Sequence, residues 1–274
     1  MPAWSRALLC LCIACSGTES TPSSPSSPSD EDGDGTDDPI EIGGFTLQGS
    51  VVDVFTWTRT GEGLCLRVAD ATAIAQGEEL DISAETVIGS DGAWMLEDVP
   101  VGGTTGLYLL LDDCSGEGSA VPTATLVLPE QWAGLGPSDT LQGVEVFHLS
   151  LSRLELWEEA MDDAGNTRPI IETGTFMGHI EDLEGSPMIG AWLMTSEGSR
   201  IYYDLGDDDW GVWSDGNGTT TEGGGRFAVP GAAWGNFIAK GLGTDYIPLV
   251  LGGLPEYVIY HRWEAQISDY GDVE

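Results

Sequence analysis

The stretch that decides the fold is Gly178-His179-Ile180-Glu181-Asp182-Leu183-Glu184-Gly185-Ser186-Pro187-Met188-Ile189-Gly190-Ala191. Downstream of it come Thr221-Glu222-Gly223-Gly224-Gly225-Arg226-Phe227-Ala228-Val229 and then Pro230-Gly231. A shorter version stands upstream: Gly49-Ser50-Val51-Val52-Asp53, then Ser90-Asp91-Gly92-Ala93-Trp94-Met95-Leu96, then Val99-Pro100-Val101-Gly102. The glycine pairs supply the positive φ angles of tight hairpins, and the aromatic or Leu that comes next alternates into a core. The chain therefore carries one strand-and-turn signature twice.

Working outward, period-two strand patterns run over Phe45 to Val54, Leu64 to Val68, Glu79 to Val87, Ala93 to Val99, Leu107 to Asp112 and Thr123 to Leu128. They resume at Thr173 to Ile180, Ile189 to Thr195, Arg200 to Asp204, Arg226 to Val229, Asn236 to Gly241, Ile247 to Leu251 and Tyr257 to Ala265. Short strands at roughly ten-residue spacing predict antiparallel sandwiches. The clearest helical segment is Leu149 to Asp163, where Leu151, Leu154, Trp157 or Glu158 and Met161 share a face and Gly165 supplies a stop. The expectation is an all-β chain: a disordered tether, then two tandem antiparallel β-sandwich domains at 44–148 and 170–274, joined by a short linking helix at 149–169.

The doubled signature resembles the carboxypeptidase regulatory-like domain, a transthyretin-like β-sandwich. That family opens on Gly-x-Val-x-Asp, continues through Gly-x-Pro-hydrophobic-x-Gly-Ala, and has a Thr/Ser-x-x-Gly-x-Phe hairpin and a Pro-Gly corner. The second half matches more fully; the first lacks the Gly-x-Pro segment and has Trp94 in place of Phe. The resemblance implies a fold and an accessory or display role, and transfers no catalytic residues.

The amino terminus carries an address. Met1 to Ser5 contain no acid, Arg6 supplies a positive charge, and Ala7 to Ala14 form an apolar run too short to span a bilayer. Residues 1–14 read as a signal peptide. The segment resembles a bacterial lipoprotein signal, in which a small residue precedes a cysteine that is acylated after cleavage; Ala14-Cys15 fits, with Cys15 as the lipid anchor. Ser16 is not the aspartate that retains such proteins in the inner membrane, so outer-membrane sorting is expected. Removing Cys10 and Cys12 with the signal and acylating Cys15 leaves Cys65 and Cys114 of five cysteines. In an oxidising compartment those two are expected to pair; two buried free thiols are the alternative.

Residues 15–43 form the anchor and an acidic Ser/Pro/Asp linker. Ser16 to Asp38 contain no apolar residue and cannot bury surface to offset chain entropy. Within it, Asp30, Asp32, Asp34, Asp38 and Glu41 fall on the side-chain ligand positions of an EF-hand loop and Gly35 on its turn. The flanks form no helix pair, so a solvated acidic linker stands beside a calcium site. No other cofactor is expected.

Charge narrows the partners. With 46 Asp or Glu, nine Lys or Arg and a net charge of −37, the chain is not expected to bind nucleic acid. Lys240 is the only lysine and Gly241 comes after it, so there is no Walker phosphate loop. Nucleophile-elbow, zincin and dinucleotide motifs are missing, and His148, His179 and His261 are isolated in strand-like context. The chain reads as a non-enzyme, a binding or spacer module whose partners are the membrane through its lipid, and a glycan or an envelope protein. The segment with a binding-site look is Asp204 to Gly218, where Trp210 and Trp213 lie among Asp207, Asp209 and Asp215. Trp faces flanked by carboxylates suit a sugar ring or a cation; a hairpin with its Trp side chains packed back on the sandwich is the other reading.

Overall fold

The computed structural model describes residues 44–71, 82–100, 106–115, 118, 120–206, 213–215, 218–219, 224–241 and 243–266, with backbone only at 213–215. The described residues all fall within one compact unit. Its strands are β1 Phe45–Asp53, β2 Cys65–Asp70, β3 Ile82–Val87, β4 Ala93–Val99, β5 Leu107–Asp112, β6 Thr123–Val127 and β7 Thr140–His148, then β8 Thr175–Ile180, β9 Trp192–Thr195, β10 Tyr202–Asp204, β11 Trp213–Asp215, β12 Arg226–Pro230, β13 Gly235–Lys240, β14 Leu249–Leu251 and β15 Val258–Trp263. Among the described residues two helices interrupt them, α1 Pro129–Trp132 and α2 Leu151–Asp163. The chain is all-β, as its alternation predicts.

The strands make two similar sandwiches, with the extra strand β3 on the second sheet of the first and β10 and β11 on the first sheet of the second. In the first, β4-β1-β7 is one sheet and β6-β5-β2-β3 the other; in the second, β11-β10-β12-β8-β15 faces β14-β13-β9. β1 pairs antiparallel with β4 and parallel with β7, and β8 pairs antiparallel with β12 and parallel with β15. The repeat is accurate to the residue: Gly49 lies opposite Trp94, and Gly178 opposite Phe227. Both glycines are required by close approach. A Cβ on Gly49 would sit 1.7 Å from the Val144 carbonyl oxygen, and one on Gly178 would sit 1.9 Å from that of His261.

Two features depart from separate antiparallel sandwiches. The last strand of each module returns beside its first in the same direction, a crossover that leaves no mark on local alternation. Further, β6 pairs in parallel with β15, Val258 with Thr123 through Tyr260 with Thr125. The second sheet of the first sandwich and the first sheet of the second thereby fuse into one nine-stranded sheet. Pairing the two edges satisfies backbone groups that each would otherwise leave open.

Among the described residues three buried clusters hold this frame. One lies between β4-β1-β7 and β2-β5, around Leu47, Trp94, Leu66 and Leu109. A second lies between the nine-stranded sheet and β14-β13-β9, around Phe176, Phe227, Phe237 and Trp263; the Phe176 ring stands edge-on to those of Phe227 and Phe237 at 5.2 and 5.1 Å. The third lies under α2, whose Leu154, Trp157 and Met161 meet Met177, Tyr202 and Tyr260. Each such burial contributes roughly 1.5–3 kcal/mol. The helix thus connects the halves and roofs the second, and Gly165 ends it at φ +85°, donating its N–H to the Asp162 carbonyl. Leu151, expected on the buried face, is exposed.

Candidate functional site

The place where the two modules join does not close completely. β6 and β15 stay paired to Thr125 and Tyr260. Beyond that point β15 continues along β8 to Trp263, while β6 continues along β5 to Val127. At Leu128 the backbone N–H donates to the Gln131 side chain of α1 at 2.7 Å rather than to β15. The two strands part there and enclose a cleft of about 230 Å³ lined by Leu126, Leu128, Gln131, Glu145, His261 and Arg262, among others.

The third wall is the outer edge of β7. The Thr123 hydroxyl donates to the Phe147 carbonyl at 2.6 Å, and the Thr125 hydroxyl accepts the Phe147 N–H at 3.2 Å. Phe147 thus turns its backbone groups away from β1, whereas the His148 carbonyl, on the β1 side, accepts the Val54 N–H. Backbone direction alternates along a strand, so Glu145 also turns its N–H and C=O outward. β6 and β7 run in opposite senses here, which places Val127, another cleft residue, beside Glu145.

A polar relay borders the cleft. The Tyr260 hydroxyl is 3.2 Å from His179 Nδ1, and His179 Nε2 is 2.8 Å from Glu181 Oε1. Arg262 then approaches Glu181 at 3.9 Å, Glu145 at 2.7 Å and Glu264 at 2.6 Å. Burial lowers the His179 pKa and outweighs the neighbouring Glu181 carboxylate, so the ring is neutral near pH 7. Burial also raises the Tyr260 phenol, and it pushes His261 down to about 3, with His179 and Arg262 acting in the same sense. Trp57, at φ +54°, stands over His179 with its ring edge-on at 4.7 Å. Its loop is held by Asp53, whose Oδ1 accepts the N–H groups of Phe55 and Thr56 at 3.0 and 2.9 Å.

The three histidines are held in different surroundings. His179 is 3% exposed and shares the α2 side of the sheet with Tyr260; His261 shares the opposite side with Ile259 and Trp263. The third histidine, His148, lies 3.7 Å from Asp53. Among the described residues no group of three or more His, Cys, Asp or Glu is arranged to hold a metal ion.

Of the residues singled out by the sequence, Cys65 and Cys114 form a disulfide, with Cα atoms 5.0 Å apart. It ties the start of β2 to the turn after β5. Trp213 and Asp215 fall in β11, whose backbone is in register with Asp204 and Tyr202. The side chains of Trp213 and Asp215, together with Trp210, Asp207 and Asp209, lie outside the described residues. The same holds for Cys15 and for Asp30, Asp32, Asp34, Asp38 and Glu41. Sequence reasoning passed over Glu145 and Arg262 and took His261 only as an isolated strand residue, because a cleft made by strands that part has no local signature.

No known family matches the chain, and no curated relative was found. Solved structures give only distant likenesses. The Bacillus anthracis TIE protein aligns over 81% of this chain at 8% identity and a TM-score of 0.27. A Streptococcal ancillary pilin aligns over 81% at 13% identity and 0.25, and the shaft pilin SpaA of Lactobacillus rhamnosus GG over 82% at 8% identity and 0.24. The chain spans 34% of the first, 62% of the second and 98% of the third. At these scores the likeness says nothing of role.

Proposed function

We propose that this chain is a non-catalytic lipoprotein of a bacterial cell envelope, anchored through Cys15, held off the membrane by its acidic linker, and serving as a binding and spacer module. The observation that carries the reading is the Cys65–Cys114 bond. Such bonds persist in oxidising compartments, and this one uses the two cysteines that remain once the signal is removed and Cys15 is acylated. The Ala14-Cys15 junction, the apolar run before it and the linker after it support export and anchoring. The repeated strand register supports two modules of the carboxypeptidase regulatory-like kind, and outer-membrane sorting rests on Ser16. The reading needs no cofactor and no nucleic acid.

Intact mass spectrometry of protein purified from host membranes tests it. The expected mass is that of residues 15–274 plus a diacylglyceryl or triacyl group, less two protons for the disulfide. Cys15→Ala abolishes the lipid increment and releases the protein from the membrane. An unlipidated wild-type mass, unchanged by Cys15→Ala, overturns the anchor.

A further inference from the structure

We propose that the cleft between β6, β15 and the edge of β7 binds an extended segment of a partner polypeptide, bearing basic side chains, through the backbone N–H and C=O of Glu145. This names the ligand class of the binding module proposed above.

β6 serves as a partner to β7 through its side chains. Thr123, Thr125 and Val127 project from the same side of β6, two residues apart. The hydroxyls of the first two satisfy both backbone groups of Phe147. At the next step along β7 the facing residue is Val127, which has no hydroxyl to offer the corresponding groups of Glu145. The threonine pairing stops where the cavity begins.

The opposite wall repeats the situation. Val258 donates its N–H to the Pro122 carbonyl, on the β6 side, so alternation turns Tyr260 and Arg262 the same way. Tyr260 lies within the paired stretch, but Arg262 lies past the point where β6 and β15 part. Gln131 has taken the Leu128 N–H on β6. The cleft thus presents strand-edge donors and acceptors from β7 and β15 around an apolar floor.

A ligand that fits must donate to one carbonyl and accept from one N–H at strand spacing, which is what an extended peptide does when it adds to a sheet edge. The volume accommodates about two residues. Charge selects the side chains. Arg262 is surrounded by Glu145, Glu181 and Glu264, leaving a negative rim on a chain whose net charge is −37. A basic strand is steered toward such a rim. A bulge in β7, with Gly143 at φ +76°, marks the same edge, as bulges commonly do beside binding sites.

The test uses the full chain, solubilised from membranes in detergent, and the synthetic peptide Ac-Lys-Val-Lys-Val-Lys-Val-NH2. A second peptide of identical charge has alternate amide nitrogens methylated, which removes its pairing donors. The first is expected to bind saturably and the second at least tenfold more weakly. Val127→Thr, which offers Glu145 an internal hydroxyl, weakens the first peptide at least tenfold. In the wild-type chain the peptide slows hydrogen exchange at the Glu145 N–H, a readout that does not depend on a variant folding. Equal binding of both peptides means attraction to bulk charge and overturns the proposal, as does unchanged Glu145 exchange at saturation. These results leave the Cys15 mass untouched, so failure here is distinct from failure of the anchor.

Discussion

Arg262 of β15 reaches Glu145 of β7 at 2.7 Å, and in doing so connects the last strand of one sandwich to the last strand of the other. The same guanidinium holds Glu264 and faces Glu181. Removing it leaves three carboxylates beside one another. Arg262→Gln is expected to destabilise the chain by about 1–2 kcal/mol, the partial exposure of both partners keeping the loss below that of a fully buried pair. Glu145→Gln keeps a hydrogen-bond acceptor and relieves repulsion, so its cost is smaller. Urea denaturation at two salt concentrations checks this: a variant as stable as wild type in low salt means the contact holds nothing together.

Acid should loosen the fold through two neutral imidazoles. His179 and His261 have pKa values lowered by burial, the latter to about 3. The unfolded chain takes up their protons near pH 6.5 while the folded chain does not, so stability is lost as pH falls below about 6.5 toward the folded values. Easing of the −37 net charge at low pH acts in the opposite sense. The difference between wild type and His261→Asn isolates the histidine: the wild type's advantage at pH 7.5 is expected to shrink or reverse by about pH 5. A constant difference across that range contradicts the assignment.

Much of this fold was legible because its strands are short, alternating and punctuated. Ala93–Val99 and Leu107–Asp112 fall where the pattern puts them. β7 was not legible, although Thr140-Leu141-Gln142-Gly143 repeats Thr46-Leu47-Gln48-Gly49 and lies beside it, with Leu47 in register with Leu141. The bulge at Gly143 shifts the alternation by one residue, so a glycine that interrupts the pattern conceals a nine-residue strand. The cleft was less legible still. It depends on Thr125 pairing with Tyr260, far along the chain, while the next residues separate, and local pattern does not encode where distant strands stop pairing. The disulfide was accessible from cysteine arithmetic once the signal resemblance had set Cys10, Cys12 and Cys15 aside.

The Cys65–Cys114 bond closes a separation of 49 residues. In the chain-entropy account, a loop of that size is worth roughly 4 kcal/mol. Cys114 is exposed and Cys65 is buried, so Cys114→Ser removes the cross-link with little disturbance to packing. The expected result is a loss near that size and a single reactive thiol on unfolding. A loss under about 1 kcal/mol would mean that the unfolded chain is already constrained between β2 and β5.

Gly178 and Gly49 occupy the same place in the repeat, each on the first strand of its module, opposite an aromatic on one side and a parallel strand on the other. At both, an added methyl would meet a carbonyl oxygen of the parallel strand, at 1.9 and 1.7 Å. That oxygen belongs to backbone, so no rotamer change relieves the clash; β15 or β7 must move. Gly178→Ala and Gly49→Ala are each expected to cost at least about 3 kcal/mol or to prevent folding. Gly185→Ala provides the comparison, because its φ of +76° is strained for alanine but no atom lies within 4 Å of the new methyl. Its cost should stay near about 1–2 kcal/mol. If the three variants melt together, strand approach is not what requires glycine at 49 and 178, and the equivalence of the two modules loses its physical basis.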